Sequence, residues 1–415
     1  MNNSRTATRC ATATARKSLP VSWARFMVLK MLAKLQHGQL TLHEGHKKWT
    51  FGRDGVLRAE ITVNDPSFYR KVLLGGSIGG GEAYVDGVWK VDDLTTLVRI
   101  MVLNMAFLDR MERGFAWFFR PVDLLRHALN ANSKSRSKRN ILAHYDLGNE
   151  MYASFLDPTM MYSSAIYPRA DSSLEEAATN KLAVICKKLN LQPTDRVIEI
   201  GTGWGGFAIY AARHYGCHVT TTTISDAQYQ EALVRVERAG LTERITLLRS
   251  DYRDLHGKYD KLVSIEMIEA VGHRFLPLFF AKCGELLKPD GQMLLQAITI
   301  ADQKYKQYAG TVDFIQRYIF PGGCLPSNTR MLQLIAEKTD MVVRGIDDFG
   351  FDYARTLRDW RQRFNASFAG LRTKGYDETF KRLWDYYLCY CEGGFLERSI
   401  SVVHLVASRP ANRQP

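Results

Sequence analysis

The sequence predicts an α/β protein: a doubly wound, mostly parallel sheet carrying a helical lid insertion, preceded by a small α+β domain. Three observations carry that expectation. From about residue 141 short apolar or β-branched runs alternate with helical stretches, the pattern of strands that need crossover helices. The first of those runs ends in a glycine turn, RVIEIGTGWGGF at 196–207. A polar, basic stretch, NANSKSRSKRN at 130–140, divides this part from a differently patterned beginning.

Residues 1–20 hold basic and small polar side chains without an apolar run, so they read as a basic, disordered tail and not a secretory signal. Their Arg, Ser and Thr content without acids also has the look of an organelle transit peptide. Residues 22–36 form a basic, apolar helix. LTL, KWTF and VLRAEITV are short strands, LLGGSIGGGEAYVDG (73–87) is a glycine-rich loop, and helical periodicity resumes over 93–105. Beyond the linker, strands are expected at 197–200, 218–222, 245–248, 261–265 and 293–298, with helices at 206–214, 227–239 and 275–287. About a hundred mostly helical, aromatic-rich residues then precede a last strand at 399–406. That insert falls at the carboxyl edge of the sheet, where such folds bind ligands, and reads as a lid.

The 415 residues suit about two domains, and 46% hydrophobic content excludes a disordered chain. No apolar run is long enough to span a bilayer. Seven scattered cysteines without a C-x-x-C pair suggest reduced thiols, and no cluster has zinc spacing, so metal-free chemistry is expected. Residues 1–140 carry a net charge of +12 out of +13 for the whole chain, which points the N-terminal part at an anionic surface. Aromatics (Trp23, Phe26, Trp117, Phe118, Phe119) mixed with Arg25, Lys30, Lys34, Arg113 and Arg120 fit a lipid headgroup interface, although the same aromatics would also fill a core. No nucleic-acid motif accompanies the charge.

The glycine turn has G-x-G-x-x-G spacing, a weak signal by itself. A dinucleotide site also needs an acid about twenty residues on, yet HVTTTTISDAQ puts four threonines there. A Walker loop would need Gly-Lys-Ser/Thr. What the turn has is Glu199 two residues before Gly201. E-x-G-x-G-x-G resembles the first motif of class I S-adenosylmethionine methyltransferases, whose Rossmann-like sheet matches the alternation above. DYRDL (251–255), after the third strand, would lie beside the adenine.

The ordered set HYDLGNEMYASFLDPTMMYSSAIYP (144–168), IEIGTGWGGFAIYAARHYG, TTTISDAQ, DYRDL, EMIEAVGH, YIFPGGCLP, FDYARTLRDW and YYLCYCEGGF resembles cyclopropane-fatty-acyl-phospholipid synthases, in their long bacterial form with an N-terminal domain. The resemblance implies transfer of a methylene from S-adenosylmethionine to the cis double bond of an unsaturated phospholipid acyl chain. It implies a cofactor site at Tyr162, Ser163, Gly201, Thr202, Gly203, Gly205, Ile224, Gln228 and Tyr252, beside the motif acid Glu199. Glu269, Tyr353 and the backbone of Ile298 would hold a bicarbonate ion as base, and Cys391 matches a cysteine of the family's active site. Two positions depart from the family pattern: Ser164 replaces a cysteine and Gln296 a histidine, both still able to donate hydrogen bonds to bicarbonate.

The chemistry needs a dry tunnel to align the alkene, negative charge near a carbocation, and a base for the transferred methyl. Glu269 is the carboxylate expected to stabilise the cation, Tyr353 a donor to the anion, and Cys391 a buried thiol in preference to a nucleophile. The expected division is a tail over 1–20, a lipid- or membrane-associating domain over 21–125, a basic linker over 126–140 and the catalytic domain over 141–410. Partners would be membrane phospholipid and no nucleic acid, at the cytoplasmic face of the inner membrane, and the resemblance suggests a homodimer. A methyl- or methylene-branching enzyme of the same family, a methyltransferase acting on another small molecule and a weakened lipid-binding homologue are the alternatives.

Overall fold

The computed structural model describes residues 20–105 and 148–413. The tail over 1–19, the linker, His144 and the aromatic-basic cluster at 113–120 lie outside the described residues.

The N-terminal unit runs α1 (Val21–Leu32), β1 (Gln39–Glu44), β2 (Lys47–Gly52), β3 (Arg58–Val63), α2 (Ser67–Val85), β4 (Trp89–Val91) and α3 (Leu94–Leu103). Its sheet has the order β2-β1-β3-β4, with β1 and β3 parallel and the outer pairs antiparallel. Alternate residues Leu40 and Leu42, and Ala59, Ile61 and Val63, are buried under the helices, as a one-faced sheet requires. One expectation fails here: the glycine-rich run is helix α2, bent at Gly76 (φ 55°, ψ −136°). Its glycines serve close approach. A Cβ on Gly81 would lie 2.7 Å from the Phe314 ring and 2.9 Å from Tyr386.

The larger unit continues α4 (Asn149–Ala153), α5 (Leu174–Lys188), β5 (Arg196–Ile200), α6 (Gly206–Tyr215), β6 (His218–Thr222), α7 (Asp226–Arg238), β7 (Ile245–Leu248), β8 (Tyr259–Ile265), α8 (Leu276–Leu286) and β9 (Leu287–Ile300). The insert follows as α9 (Asp302–Tyr308), α10 (Phe314–Tyr318), α11 (Asn328–Lys338), β10 (Val342–Asp348), α12 (Gly350–Arg372) and α13 (Glu378–Leu396), and β11 (Ile400–Ser408) ends the sheet. The sheet order is β10-β11-β9-β8-β5-β6-β7; β5 to β9 are parallel and β11 runs antiparallel between β9 and β10. Strand alternation sorts the core into two layers. Ile198, Leu262 and Leu295 pack on Phe279 and Phe280 of α8, whereas Val197, Val263 and Leu294 pack on Phe207 and Ala208 of α6.

The two units share a core. Phe314, Tyr386 and Cys389 bury against the N-terminal unit. Tyr84 OH donates to Asp385 at 3.1 Å, Thr95 Oγ1 to Glu392 at 2.9 Å and Arg99 Nε to Glu397 at 2.6 Å. Helix α13 is therefore wedged between the N-terminal unit and the parallel sheet, where its inner face can form the site.

Candidate active site

Where β5 ends, the chain turns through Gly201 (φ 108°), Gly203 (φ 53°) and Gly205 (φ 85°), a left-handed series that glycine adopts without a Cβ penalty. Gly206 then starts α6 with no room for a side chain: a Cβ would meet Met161 Sδ at 2.6 Å and Thr159 O at 2.7 Å. This close approach lays the Met161–Ser163 segment across the turn. Tyr162, Ser163, Glu199, Gly201, Thr202, Gly203, Ile224, Gln228 and Tyr252, nine of the ten expected cofactor residues, line one cavity; Gly205 is not among its lining residues.

The threonines that exclude a dinucleotide acid have positions in this site. Thr221 Oγ1 donates to Glu199 Oε2 at 2.6 Å and shares a 2.7 Å hydrogen bond with Thr202 Oγ1. Thr223 Oγ1 donates to Gln228 Oε1 at 3.0 Å. Burial pushes the Glu199 carboxyl up to about 8, against the lowering hydrogen bond from Thr221.

Opposite the turn stand two carboxylates from the end of β8. Glu269, on a single 3₁₀ turn at Ile268–Ala270, accepts the Ile298 N–H at 2.5 Å through Oε1. Burial, and then the neighbouring Glu266, push its carboxyl up to about 8. Glu266 holds a left-handed backbone (φ 49°) and gathers three donors. Its Oε1 accepts Ser164 N–H at 2.8 Å and Gln296 Nε2 at 2.7 Å, and its Oε2 accepts Tyr353 OH at 2.7 Å.

These contacts bear on four of the residues expected beside a base. Tyr353 is paired with Glu266. Gln296 spends its second amide hydrogen on Ser164 O at 3.2 Å, and Ser164 Oγ donates to Ala165 O at 2.9 Å, so neither side chain reaches out to a dissolved ion. Cys391 lines the cavity, but burial pushes its thiol up, away from thiolate chemistry.

Several contributors escaped the sequence reading. Glu266 had a readable signal, a second acid three residues before Glu269. Lys181 looked like an ordinary helix lysine, yet it is fully buried, donates to Ser163 Oγ at 2.6 Å, and is pulled down to about 8 by burial. His404 lies opposite Gln296 in the β9–β11 register, its Nε2 3.0 Å from Gln296 Oε1 and its Nδ1 3.1 Å from Lys188 Nζ. No local pattern marks Lys181 or His404, because their partners come from other elements of the fold.

The cavity measures ≈ 510 Å³ and runs from the glycine turn past both carboxylates to an apolar end walled by Ile315, Phe320, Leu325 and Tyr390, with Val102 and Met105 of the N-terminal unit. Two buried polar atoms of its lining residues, Tyr252 OH and Glu269 Oε2, have no hydrogen-bond partner in the protein. Buried polar groups are as a rule satisfied, so a bound ligand is the fitting partner for both. Acidic side chains at Glu199, Glu266 and Glu269 in one cavity suit a ligand with positive centres, such as the ammonium and sulfonium of S-adenosylmethionine.

The model of the family described as mycolic acid cyclopropane synthetase matches residues 132–405. The chain is 40% identical over 361 residues to the cyclopropane-fatty-acyl-phospholipid synthase of Escherichia coli K12, spanning 86% of this chain and 89% of that one. It is 37% identical over 357 residues to the tuberculostearic acid methyltransferase UfaA1 of Mycobacterium tuberculosis, spanning 82% and 83%. Among solved structures, the mycolic acid cyclopropane synthase CmaA1 complexed with SAH and CTAB aligns with a TM-score of 0.61 at 29% identity, over 65% of this chain and 98% of that one.

Proposed function

The chain belongs to the mycolic acid cyclopropane synthetase family of S-adenosylmethionine-dependent methyltransferases, and on that premise we propose that it closes a cyclopropane ring on the cis double bond of an unsaturated phospholipid acyl chain. The observation that carries this reading is the single cavity joining the glycine turn, two carboxylates and an apolar end. S-adenosylmethionine supplies an electrophilic methyl group there.

The chain's residues do the rest. Gly201, Thr202 and Gly203 let the backbone approach the nucleoside, Gln228 and Tyr252 contribute hydrogen bonds, and Glu199 orients the ammonium. The apolar end aligns the alkene and excludes water, so that charge at the other end acts in a low dielectric. Glu269 faces the developing carbocation and stabilises it. Proton removal falls to a base in the same cavity. The resemblance implies bicarbonate in that role.

No helix among the described residues is long and apolar enough to cross a membrane. We assign contact with the bilayer to the N-terminal unit, as a peripheral association with the inner face of the membrane, on the charge of residues 1–140 and the exposed aromatics of α1. Trp23 and Phe26 of α1 are 41% and 60% exposed beside Lys30, which favours the headgroup interface over core packing for these two aromatics.

The test supplies methyl-trideuterated S-adenosylmethionine and vesicles of cis-monounsaturated phospholipid, followed by mass spectrometry of the acyl chains. Two deuteriums retained in a ring that survives mild hydrogenation is the expected result. Similarity to UfaA1 favours a methyl branch as the second reading, which would leave three. Lipid without label would reject both.

A further inference from the structure

We propose that the base of this enzyme is built into the chain: the Glu266 carboxylate occupies the position a dissolved anion would take and accepts the proton itself. The inference rests on the ring-closing reading above and deepens it.

Three donors from three separate elements converge on Glu266: the Ser164 N–H, the Gln296 amide and the Tyr353 hydroxyl. A carboxylate and a bicarbonate ion present the same planar pair of oxygens, so a cradle that fits one fits the other. Here the cradle is filled from within. The other donors expected to reach an anion are also engaged: the second Gln296 hydrogen by Ser164 O, the Ser164 hydroxyl by Ala165 O, and Ile298 N–H by Glu269. A separate anion would add a second negative charge beside the Glu266 carboxylate, in a buried site where Glu266 already pushes the Glu269 carboxyl up.

The direction of each hydrogen bond follows from chemistry. Lysine only donates, so Lys188 Nζ gives to His404 Nδ1; Nε2 must then carry the ring hydrogen and give it to Gln296 Oε1. With its oxygen committed, Gln296 turns its amide hydrogens to Glu266 and Ser164. Gln296 and His404 are both fully buried, so this relay is fixed by packing as well as by pairing. Glu266 Oε1 accepts two hydrogens and Oε2 one, which leaves one lone-pair direction of Oε2 for a substrate proton.

The backbone supports the same reading. A left-handed φ of 49° is uncommon outside glycine, and such outliers persist where the surroundings hold a working side chain in place. The two acids are also differentiated. Burial raises both carboxyls above the ordinary range; at Glu266 three donors and the Lys181 charge oppose that shift, whereas at Glu269 the like charge of Glu266 adds to it and one oxygen is unpartnered. Separated environments of this kind divide acid and base roles between neighbouring carboxyls.

In the step, the alkene π pair bonds to the methyl carbon while sulfur keeps the S–C pair. Glu266 then takes one proton from that carbon, and the released C–H pair closes the ring. The proton leaves Glu266 for water after product departure.

Two variants of the full-length protein test this. Glu266→Gln keeps the shape and loses the base, with an expected fall in kcat of about 10²–10⁴-fold. Glu266→Gly relaxes the backbone and vacates the cradle. In CO₂-free buffer the native protein should keep its turnover, and added bicarbonate or formate should restore Glu266→Gly saturably. Isotope-labelled bicarbonate, followed by NMR with S-adenosylhomocysteine present, should bind Glu266→Gly and not the native protein. That second readout needs no acyl substrate, so it decides the base even if the lipid reading fails in the labelling experiment. Saturable bicarbonate binding by the native protein, loss of its turnover in CO₂-free buffer, native turnover in Glu266→Gln, or a folded Glu266→Gly that binds no anion would each overturn the proposal.

Discussion

Glu199 is a carboxyl buried inside a β-strand, with a threonine hydroxyl as its donor and a folded-state position of about 8. Raised this far, it holds a proton in the ligand-free protein between the ordinary carboxylate range and about 8. The folded state binds more protons than the unfolded one in that window, so this group's contribution to stability falls as pH rises through it. An ammonium brought alongside favours the charged form and expels the proton. S-adenosylhomocysteine carries the ammonium without the sulfonium, which separates Glu199 from Glu269. Calorimetric binding of S-adenosylhomocysteine near neutral pH should release close to one proton, read from buffers of different ionisation enthalpy. Glu199→Gln should abolish the release and weaken binding. Heats independent of buffer would mean that the ammonium lies elsewhere.

Helix α2 shows how packing overrides propensity at the scale of an element. Each interior glycine costs a helix roughly 1 kcal/mol relative to alanine, yet five of them stand in LLGGSIGGGEAYVDG before its final turn. Gly81 is kept for a contact, since its Cβ would press on Phe314 and Tyr386 across the junction of the two units. Gly81→Val should therefore lose about 1–3 kcal/mol to overpacking. Its neighbour Gly80 has open space, and Gly80→Ala should gain up to about 1 kcal/mol. Denaturant titration of both variants checks the contrast, and equal effects would remove the contact as the explanation. The same override limits what a sequence can disclose. The parallel strands were legible because Val197–Ile200 and Lys261–Ile265 are apolar and bounded by turns. Strand β4 has only three residues, and edge strand β10 carries Arg344, Asp347 and Asp348, so neither has a pattern to read. The residues at the glycine-turn end of the cavity were legible because they cluster in short motifs. Glu266, Lys181 and His404 acquire their roles only when β8, α5 and β11 meet.

For the whole molecule, the N-terminal unit contributes core to α13 and wall to the cavity, so the unit proposed to meet lipid is mechanically joined to the site. The chain's excess positive charge also lies in residues 1–140. Two forces would then hold the protein at a bilayer, and they separate experimentally. Basic side chains contribute about 1 kcal/mol each near an anionic surface, an attraction confined to the Debye length and lost in high salt. Trp23 and Phe26 contribute by burial, which salt leaves intact. Both project from α1, where Ala24 and Val28 make the core contacts, so removing them should leave the fold unchanged. The double variant Trp23→Ala, Phe26→Ala should keep its melting temperature and lose roughly ten- to a hundredfold in vesicle partitioning, the yield of partly burying two large aromatics. The loss should persist at high salt, whereas Lys30→Glu with Lys34→Glu should weaken binding to anionic vesicles at low salt alone. If the aromatic variant binds vesicles like the native protein, α1 is not the membrane face, and the basic surface must carry the attachment without it.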